Sequence, residues 1–364
     1  MLKDILPELN DKPYIEDLQK DYKISFCPTK DIEKLVTFID QHWKKDHAFV
    51  RSRELLDWQH YNKKLDQYNF VIATHIESQE IHSILGFLPT SQYDENIKEL
   101  KIWPCIWKVR EDVKVKGLGV SLYWFLKTQL PIETISMQGL SEIALSIYQR
   151  WNFTSGKNQH HYMLNSSKKS FKLIQNISLE KNQDEIQQAN KKQSFRDLSR
   201  NDFSKLSTNL TDLISKYKSQ DYFINRFFDH PIYEYIVKGI FTNNELSNIL
   251  FMRKVNAKDA FALRIIDVIG PVSGLIGNRS NFENLMIKHD AEYIDFINVG
   301  ISNDDLELAG FLNKKNTETV VPNYFEPFVN KNIELDYAEK TVSEYNETII
   351  VFKGDADQDR PNKI

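Results

Sequence analysis

Val109-Arg110-Glu111-Asp112-Val113-Lys114-Val115-Lys116-Gly117-Leu118-Gly119-Val120-Ser121-Leu122 is the stretch on which the fold turns. A strand-like run, Leu100 to Arg110, enters it, and an amphipathic helix leaves it. A glycine-bearing loop between a strand and a helix presents free backbone N–H groups at the positive end of a helix dipole. That arrangement binds phosphate, and here it points to a ligand carrying a pyrophosphate. The spacing Gly117-Leu118-Gly119 leaves an ordinary tight turn equally open. It is neither the G-x-x-x-x-G-K-[ST] loop nor the G-x-G-x-x-G fingerprint, since position 122 is Leu.

The context extends the pattern. Leu118, Leu122, Phe125, Leu126 and Gln129 fall at helical spacing, and Pro131 ends the run. A β-like segment, Glu133 to Gln138, follows. Gly139-Leu140-Ser141-Glu142 then opens a second helix with Ala144, Ile147, Tyr148 and Trp151 on one face, and His160 to Leu164 is another strand candidate.

This order of elements resembles the acyl-CoA-binding half of a GNAT-superfamily N-acyltransferase. The family's loop, Arg/Gln-x-x-Gly-x-Gly/Ala, is matched by Lys114-Val115-Lys116-Gly117-Leu118-Gly119. Lys at the first position departs from the family, a mild change because the loop works mainly through backbone N–H groups. The later Ala-x-x-x-Tyr is matched by Ala144 and Tyr148, while the usual Leu-Gly-Phe has become Trp151-Asn152-Phe153. Asn reaches the left-handed conformation that Gly supplies at a helix C-terminus. The resemblance covers roughly the first 165 residues. It implies acyl-CoA as co-substrate, held by this loop and by Trp107 and Val109 on the strand before it, with no metal.

Composition agrees with a globular enzyme. The chain has 364 residues, 41% hydrophobic and 12% aromatic, enough for two or three domains. A net charge of −4 gives no global basic field for nucleic acid. Cys27 and Cys105 fall in strand-like runs without metal-ligand spacing and read as buried, reduced thiols of a reducing compartment. Met1 to Tyr14 is polar, and no apolar run approaches a membrane span. The expectation is a cytoplasmic protein, monomeric or weakly dimeric, without membrane or nucleic-acid partners.

The chain divides at a nearly all-polar stretch, Gln175 to Gln193, giving residues 1–175, a linker 176–193 and residues 194–364. The halves share an order of elements. The first runs Tyr22 to Cys27, Asp31 to His42, Ser52 to Tyr61, Phe70 to His75 and Ile81 to Leu88 before the cofactor strand. The second runs Ser194 to Leu198, Asp202 to Tyr217, Tyr222 to Tyr235, Asn248 to Val255, Ala260 to Val268, a helix from about Asn281, Tyr293 to Val299, and Asp304 to Asn313. The expected fold class is α/β (α+β): tandem GNAT-like domains, each a mixed central sheet flanked by helices, the second copy degenerate. Its counterpart loop, Ile269-Gly270-Pro271-Val272-Ser273-Gly274-Leu275, has no basic residue, and its Pro removes a donor. Shaping the substrate site and serving as a structural cap are both open to it.

Tandem halves with His42-Trp43, His47, Trp58-Gln59, Asn225 to Tyr235 and the tail Lys353 to Asn362 resemble a narrower family. These are nucleotide-sugar N-acyltransferases of surface-polysaccharide synthesis. The resemblance implies a dTDP-linked 3-amino-3,6-dideoxy-hexose as acceptor and a 3-hydroxybutanoyl or acetyl donor. Trp58, Arg226, His230, Tyr233 and Tyr235 are the candidate acceptor contacts. The aromatics read either as packing or as a stacking platform. Arg226 reads either as a fork onto a diphosphate or as a partner of Asp229. The tail reads either as a solvated acidic end or as a segment folded back on the site.

Thioester aminolysis needs an amine without its proton, a polarised carbonyl and a protonated leaving thiolate. In the family a backbone N–H on the strand before the loop binds the carbonyl oxygen. Here that strand contains Trp103-Pro104-Cys105-Ile106-Trp107, and Pro104 marks either local disruption or a plain edge. Tyr148 matches the family's general acid, against a core role on its helix stripe. For the base, His42, His47 and His60 are candidates, His47 foremost, and transfer through water is the alternative. Two other functional classes stay open: aminoacyl or peptidyl transfer by tandem GNAT-like halves, and a catalytically inactive acyl-CoA-binding protein.

Overall fold

The computed structural model describes residues 18–177, 193–206, 215–342 and 348–362. Nearly all of the expected linker, and residues 207–214 of the helix expected over Asp202 to Tyr217, lie outside the described residues.

The first half carries β1 (Tyr22–Pro28), α1 (Ile32–Phe38), α2 (Ala48–Arg51), α3 (Arg53–His60), β2 (Tyr61–Asn62), β3 (Gln67–His75), β4 (Ile81–Pro89) and β5 (Lys101–Val109). It continues with α4 (Leu118–Gln129), β6 (Thr134–Gln138), α5 (Glu142–Arg150), β7 (Thr154–Lys157) and β8 (Gln159–Leu164). Ser52 and Ser141 cap α3 and α5 by accepting the Leu55 and Ala144 N–H groups, the usual role of serine at that position. Asn152 takes φ 56° past α5, as its place in the motif requires. On α4 the buried face is Leu118, Ser121, Leu122, Tyr123, Trp124 and Leu126. Phe125 is half-buried and Gln129 exposed, so the stripe expected through those two is rotated toward Tyr123 and Trp124.

The second half carries β9 (Gln193–Asp197), α6 (Arg200–Ser204), α7 (Gln220–Phe223), β10 (Ile236–Thr242), β11 (Glu245–Ala257), β12 (Ala260–Ile269), α8 (Arg279–Lys288), β13 (Ala291–Val299) and α9 (Asn303–Leu308). It ends with β14 (Leu312–Asn313), β15 (Tyr324–Phe325), β16 (Phe328–Val329), β17 (Asp336–Thr341) and β18 (Val351–Phe352).

Two mixed sheets result. The first has the order β1-β3-β4-β5-β6-β17-β7, and the second β14-β8-β13-β12-β11-β10-β9. The halves therefore exchange strands. β8 from the first half pairs with β13 from Tyr293↔Leu164 to Asn298↔Gln159. β17 from the second half lies between β6 and β7. A cut at residue 175 separates the polar stretch but not the two sheets, since each sheet holds one strand from across it.

In each sheet one parallel pair splays. β5 and β6 pair only at Lys101↔Thr134 and Ile102↔Ile135, although β5 runs on to Val109. β12 and β13 hold together as far as Ile265↔Phe296. Beyond that point the chain's own end enters: β18 pairs with β13 at Asn298↔Phe352 and Val299↔Val351, and the Gly354 N–H donates to the Ile266 carbonyl at 2.8 Å. A Cβ on Gly354 would meet that carbonyl oxygen at 3.0 Å and the Ile266 side chain at 2.8 Å. Only a glycine lets the tail lie this close. The splay is thus closed in the second sheet by residues 351–354, while among the described residues no strand enters the one in the first sheet.

Candidate active site

The site grows from β5. From Leu85↔Trp107 to Phe87↔Pro104, β4 advances two residues and β5 three. The extra residue makes a bulge at Cys105–Ile106, immediately beside Pro104. A bulge takes backbone groups out of the ladder and redirects side chains. Gly86 lies opposite, where a Cβ would meet the Phe70 ring at 2.7 Å and the Cys105 Sγ at 3.0 Å. The disruption foreshadowed by Pro104 is therefore present, at the point where β5 leaves β6.

Past the bulge, Trp107 and Val109 face α4. Gly117 takes φ 81° as the N-terminal cap of that helix. Gly119 sits against β5: a Cβ there would meet Val109 Cγ2 at 3.1 Å and Trp107 Nε1 at 3.3 Å. The Trp107 indole N–H donates to the Gly119 carbonyl at 3.1 Å. The helix start is thereby pressed onto the strand, and its first-turn amides have no carbonyl partners within the helix. Arg110 braces the entry to the loop through Asp112 at 2.6 Å and Glu80 at 2.7 Å. Lys114 donates to the Glu111 carbonyl at 2.6 Å, Val115 and Lys116 are exposed, and Leu118 is wholly buried. The expected loop residues are together, but Leu118 belongs to the core by its side chain and can serve a ligand only through its backbone.

Tyr148 lies 1% exposed behind the splay. Its ring is 6.0 Å from Trp107, 5.0 Å from Phe153 and 6.1 Å from Tyr123. Burial, and then the Cys105 thiol, push its hydroxyl well above the ordinary range, so it carries its proton at any working pH. Tyr123, which sequence reasoning passed over, is fully buried beside it, and its hydroxyl has no partner among the described residues. The signal available was a hydroxyl-bearing ring one place beyond Leu122.

The opposite face of β5 looks toward α1–α3 and the tail. His47 caps α2, its Nδ1 accepting the Phe49 N–H at 3.2 Å. It is 1% exposed, and burial, then Arg360, push its pKa down to about 2. In a neutral ring whose Nδ1 accepts, Nε2 holds the proton. His47 therefore offers a donor at Nε2 and no free lone pair. This corrects its expected role as base. His60, pushed down to about 3 by burial first, is fully buried against Phe49 and Phe70.

The expected acceptor contacts are brought together across the halves. Trp58 donates from Nε1 to the Asn225 carbonyl at 3.2 Å, and its ring is 4.4 Å from His230. The Arg226 guanidinium lies 5.4 Å from the Trp58 ring and donates to the Gly354 carbonyl at 3.2 Å. Its suggested pairing with Asp229 does not occur; Asp229 takes Arg200 at 2.8 and 3.0 Å. His230 Nδ1 accepts the Ile232 and Tyr233 N–H groups. The Tyr233 hydroxyl donates to Glu326 at 3.1 Å and Tyr235 to Asp359 at 2.8 Å. The hydroxyls thus hold the tail and its surroundings.

The tail is folded back, not solvated. Asp355 pairs with Lys218 at 2.9 Å, Asp359 with Arg253 at 2.9 Å, and Asp357 with Arg360 at 2.6 Å. Gln358 donates to the Gln138 carbonyl at the end of β6, 3.1 Å away. Lys353 is buried on Asn323 Oδ1 at 3.0 Å, with burial pushing its pKa down to about 7. Among the described residues, no cluster of His, Cys, Asp or Glu is arranged for a metal, and no helix is long and apolar enough to cross a membrane.

A cavity of about 720 Å³ also lies between the halves, walled by Lys101, Trp103, Lys218, Gly270 and Asp355. It opens where β5 and β6 are still paired. Trp103 on its wall is four residues from Trp107, roughly 13 Å at strand rise, and Tyr148 is not one of its lining residues.

No family model matches the sequence, and no curated protein matches it. Among solved structures, the chain is similar to a GCN5-related N-acetyltransferase from Kribbella flavida, with TM-score 0.54 and 8% identity over 88% of this chain and 71% of that one. It is also similar to a GCN5-related N-acetyltransferase from Anabaena variabilis ATCC 29413, with TM-score 0.52 and 11% identity over 88% and 73%. A third, from Enterococcus faecalis V583 and described as a probable N-acyltransferase, has TM-score 0.53 and 7% identity over 88% and 73%. The fold is that of the GCN5-related N-acetyltransferases, present here as two sheets with exchanged strands.

Proposed function

We propose that the protein is an acyl-CoA-dependent N-acyltransferase whose single donor site is the first half. The observation that carries this reading is the contrast between the two splays. The first is followed by a glycine-capped helix start, and the second is closed by the chain's own residues 351–354. The pyrophosphate would sit on the amides around Lys116, Gly117 and Gly119, and the thioester would run along Trp107 toward the Cys105–Ile106 bulge. There a backbone N–H released from the ladder polarises the carbonyl. The amine attacks that carbon, the C–N bond forms as the C–S bond breaks, and the protonated Tyr148 hydroxyl gives its proton to the leaving thiolate. The proton shed by the amine goes to water or to the Asp357 carboxylate, whose charge is felt at the Cys105 thiol.

For the acceptor, the reading is a dTDP-linked amino-deoxysugar approaching from the face of β5 that carries α1–α3 and the tail. Its support is the cluster of Trp58, Tyr93, Arg226, His230, Tyr233 and Tyr235 contributed by both halves. Such a mixture of aromatic planes and guanidinium suits a base and a phosphorylated sugar. Calorimetry with coenzyme A, followed by a thiol-release screen of acyl-CoA donors against dTDP- and UDP-amino sugars, tests both levels. Absence of coenzyme A binding refutes the reading as a whole. Binding with turnover only on other amines refutes the sugar.

A further inference from the structure

Three side chains surround the buried Phe49 ring on the acceptor face of β5. The His47 ring lies 4.9 Å from it, the His60 ring 5.1 Å, and the Arg360 guanidinium 5.4 Å. Each carries a buried nitrogen without a partner among the described residues: His47 Nε2, His60 Nδ1 and Arg360 Nε. A buried polar atom left unpaired is costly, and here three such side chains from two distant parts of the chain lie around one ring.

The chemistry of two of them is fixed. His47 Nδ1 accepts the Phe49 N–H, so the free Nε2 is a donor. Arg360 Nε is a donor by nature. One edge of the guanidinium is taken by Asp357 at Nη1, 2.6 Å away, which leaves the Nε edge. The free atoms are therefore N–H groups on a positively charged wall, with the Lys44 ammonium adding to the field at His47. Among the described residues Asp357 is the one carboxylate paired with Arg360, and it sits on the edge already taken.

We propose that His47 Nε2 and Arg360 Nε form a recognition site for an anionic oxygen of the acceptor, a carboxylate or a phosphate, held within reach of the Cys105–Ile106 bulge. This deepens the acyltransfer reading and rests on it. It also gives the chain's end a purpose: residues 355–362 deliver Arg360 to a site whose other wall is the first half. In this account His47 and Arg360 bind the acceptor and take no part in moving its proton.

The test uses the full chain labelled with ¹⁵N-histidine. The His47 Nε2 resonance is assigned by its loss in His47→Gln, then followed on adding sodium acetate, inorganic phosphate and, as the uncharged isostere, acetamide, all at constant ionic strength. The expected result is a saturable shift with acetate or phosphate, with acetamide at least about tenfold weaker, as a charge-assisted bond requires. Response to acetate alone assigns a carboxylate-bearing amine, and response to phosphate alone a phosphorylated acceptor. Arg360→Gln should abolish the shift, and Arg360→Lys, which keeps the charge but displaces the donor, should weaken it. Melting curves and coenzyme A calorimetry on each variant show that it is folded. Equal response to acetamide, no response to either anion, or a response surviving Arg360→Gln overturns the site and leaves a hydrated gap. Coenzyme A binding without any anion response defeats this inference alone. Its absence in the unmodified protein defeats the acyltransfer reading first.

Discussion

The side-chain amide of Gln138, at the open end of β6, donates to the carbonyl of Phe352 in β18, 2.8 Å away. One residue thereby ties the splay that is open in the first sheet to the strand that closes the other. Gln358 returns the connection to the Gln138 carbonyl. Residues 351–358 are consequently seated in the second sheet and tied to β6 of the first.

That dual role makes Gly354 sensitive. A valine there collides with Ile266 and Phe227, both within 3.1 Å of the Cβ position. Overpacking of this kind costs about 1–3 kcal/mol. Gly354→Val should lower the urea midpoint accordingly and loosen the tail, read as faster amide exchange at residues 351–358. An unchanged midpoint would mean that the tail is not seated in β12–β13.

Gly119 reports on the donor. Gly119→Leu places a side chain against Val109 and Trp107 and pushes the helix start off β5. Acyl-CoA affinity measured by calorimetry should fall at least about tenfold, the value of one lost good contact to phosphate, while the acceptor-face resonances keep their shifts. Full affinity in a folded variant removes the loop from the donor site.

Tyr148→Phe preserves the ring contacts with Trp107 and Phe153 and deletes the proton. Turnover should fall roughly 10²-fold, the usual contribution of a positioned acid, with the Michaelis constant for acyl-CoA little changed. An enzyme as fast as the parent would return Tyr148 to a core role.

Local signals carried much of this. The strand–loop–helix at Val109–Leu122, the left-handed Asn152 and the bulge flagged by Pro104 were all legible, because each is decided by residues within a few positions. The strand exchange was not. β17, Asp336–Thr341, is short and half charged, and nothing in it names β6 and β7 as neighbours. β10 and β7 were likewise passed over. The run Thr348 to Phe352 reads as a buried strand, of which only Val351 and Phe352 pair, and a strand's partner is a non-local fact. His47 was expected as a base because its residue type allows it; its capping bond to Phe49, a matter of three-dimensional placement, makes it a donor.

Acid stability follows from three imidazoles without carboxylate partners. Burial first, then neighbouring guanidinium groups, push His47 and His230 down to about 2 and His60 to about 3. Unfolded histidine titrates near 6.5. Between those values the unfolded chain binds more protons than the folded one, so stability is full above pH 6.5 and is lost as pH falls. Each imidazole contributes up to about 1.4 kcal/mol per pH unit within that window. Melting temperature should drop steadily from pH 7 to 5, and His230→Asn, which keeps an acceptor for the Tyr233 N–H, should flatten the slope. A melting point constant over that range would show that these rings are solvated.

The acceptor face is probed through Arg226. Its guanidinium is 3% exposed, rests on Trp58 and Phe227, and donates to the Gly354 carbonyl. Arg226→Ala removes a cation from the seam between the halves and releases the tail that presents Arg360. On the proposed reading donor binding draws on β5 and α4, away from the contacts of Arg226. The variant should therefore raise the Michaelis constant for the acceptor at least about tenfold, a charged hydrogen bond's worth, while coenzyme A affinity stays within error. Tyr233→Phe, which loses only the bond to Glu326, should give the same pattern in weaker form. If both constants move together, the second half acts as a general support for the fold. If only the acceptor constant moves, it is a wall of the acceptor site, and the closed splay of the second sheet is what fixes that wall in place.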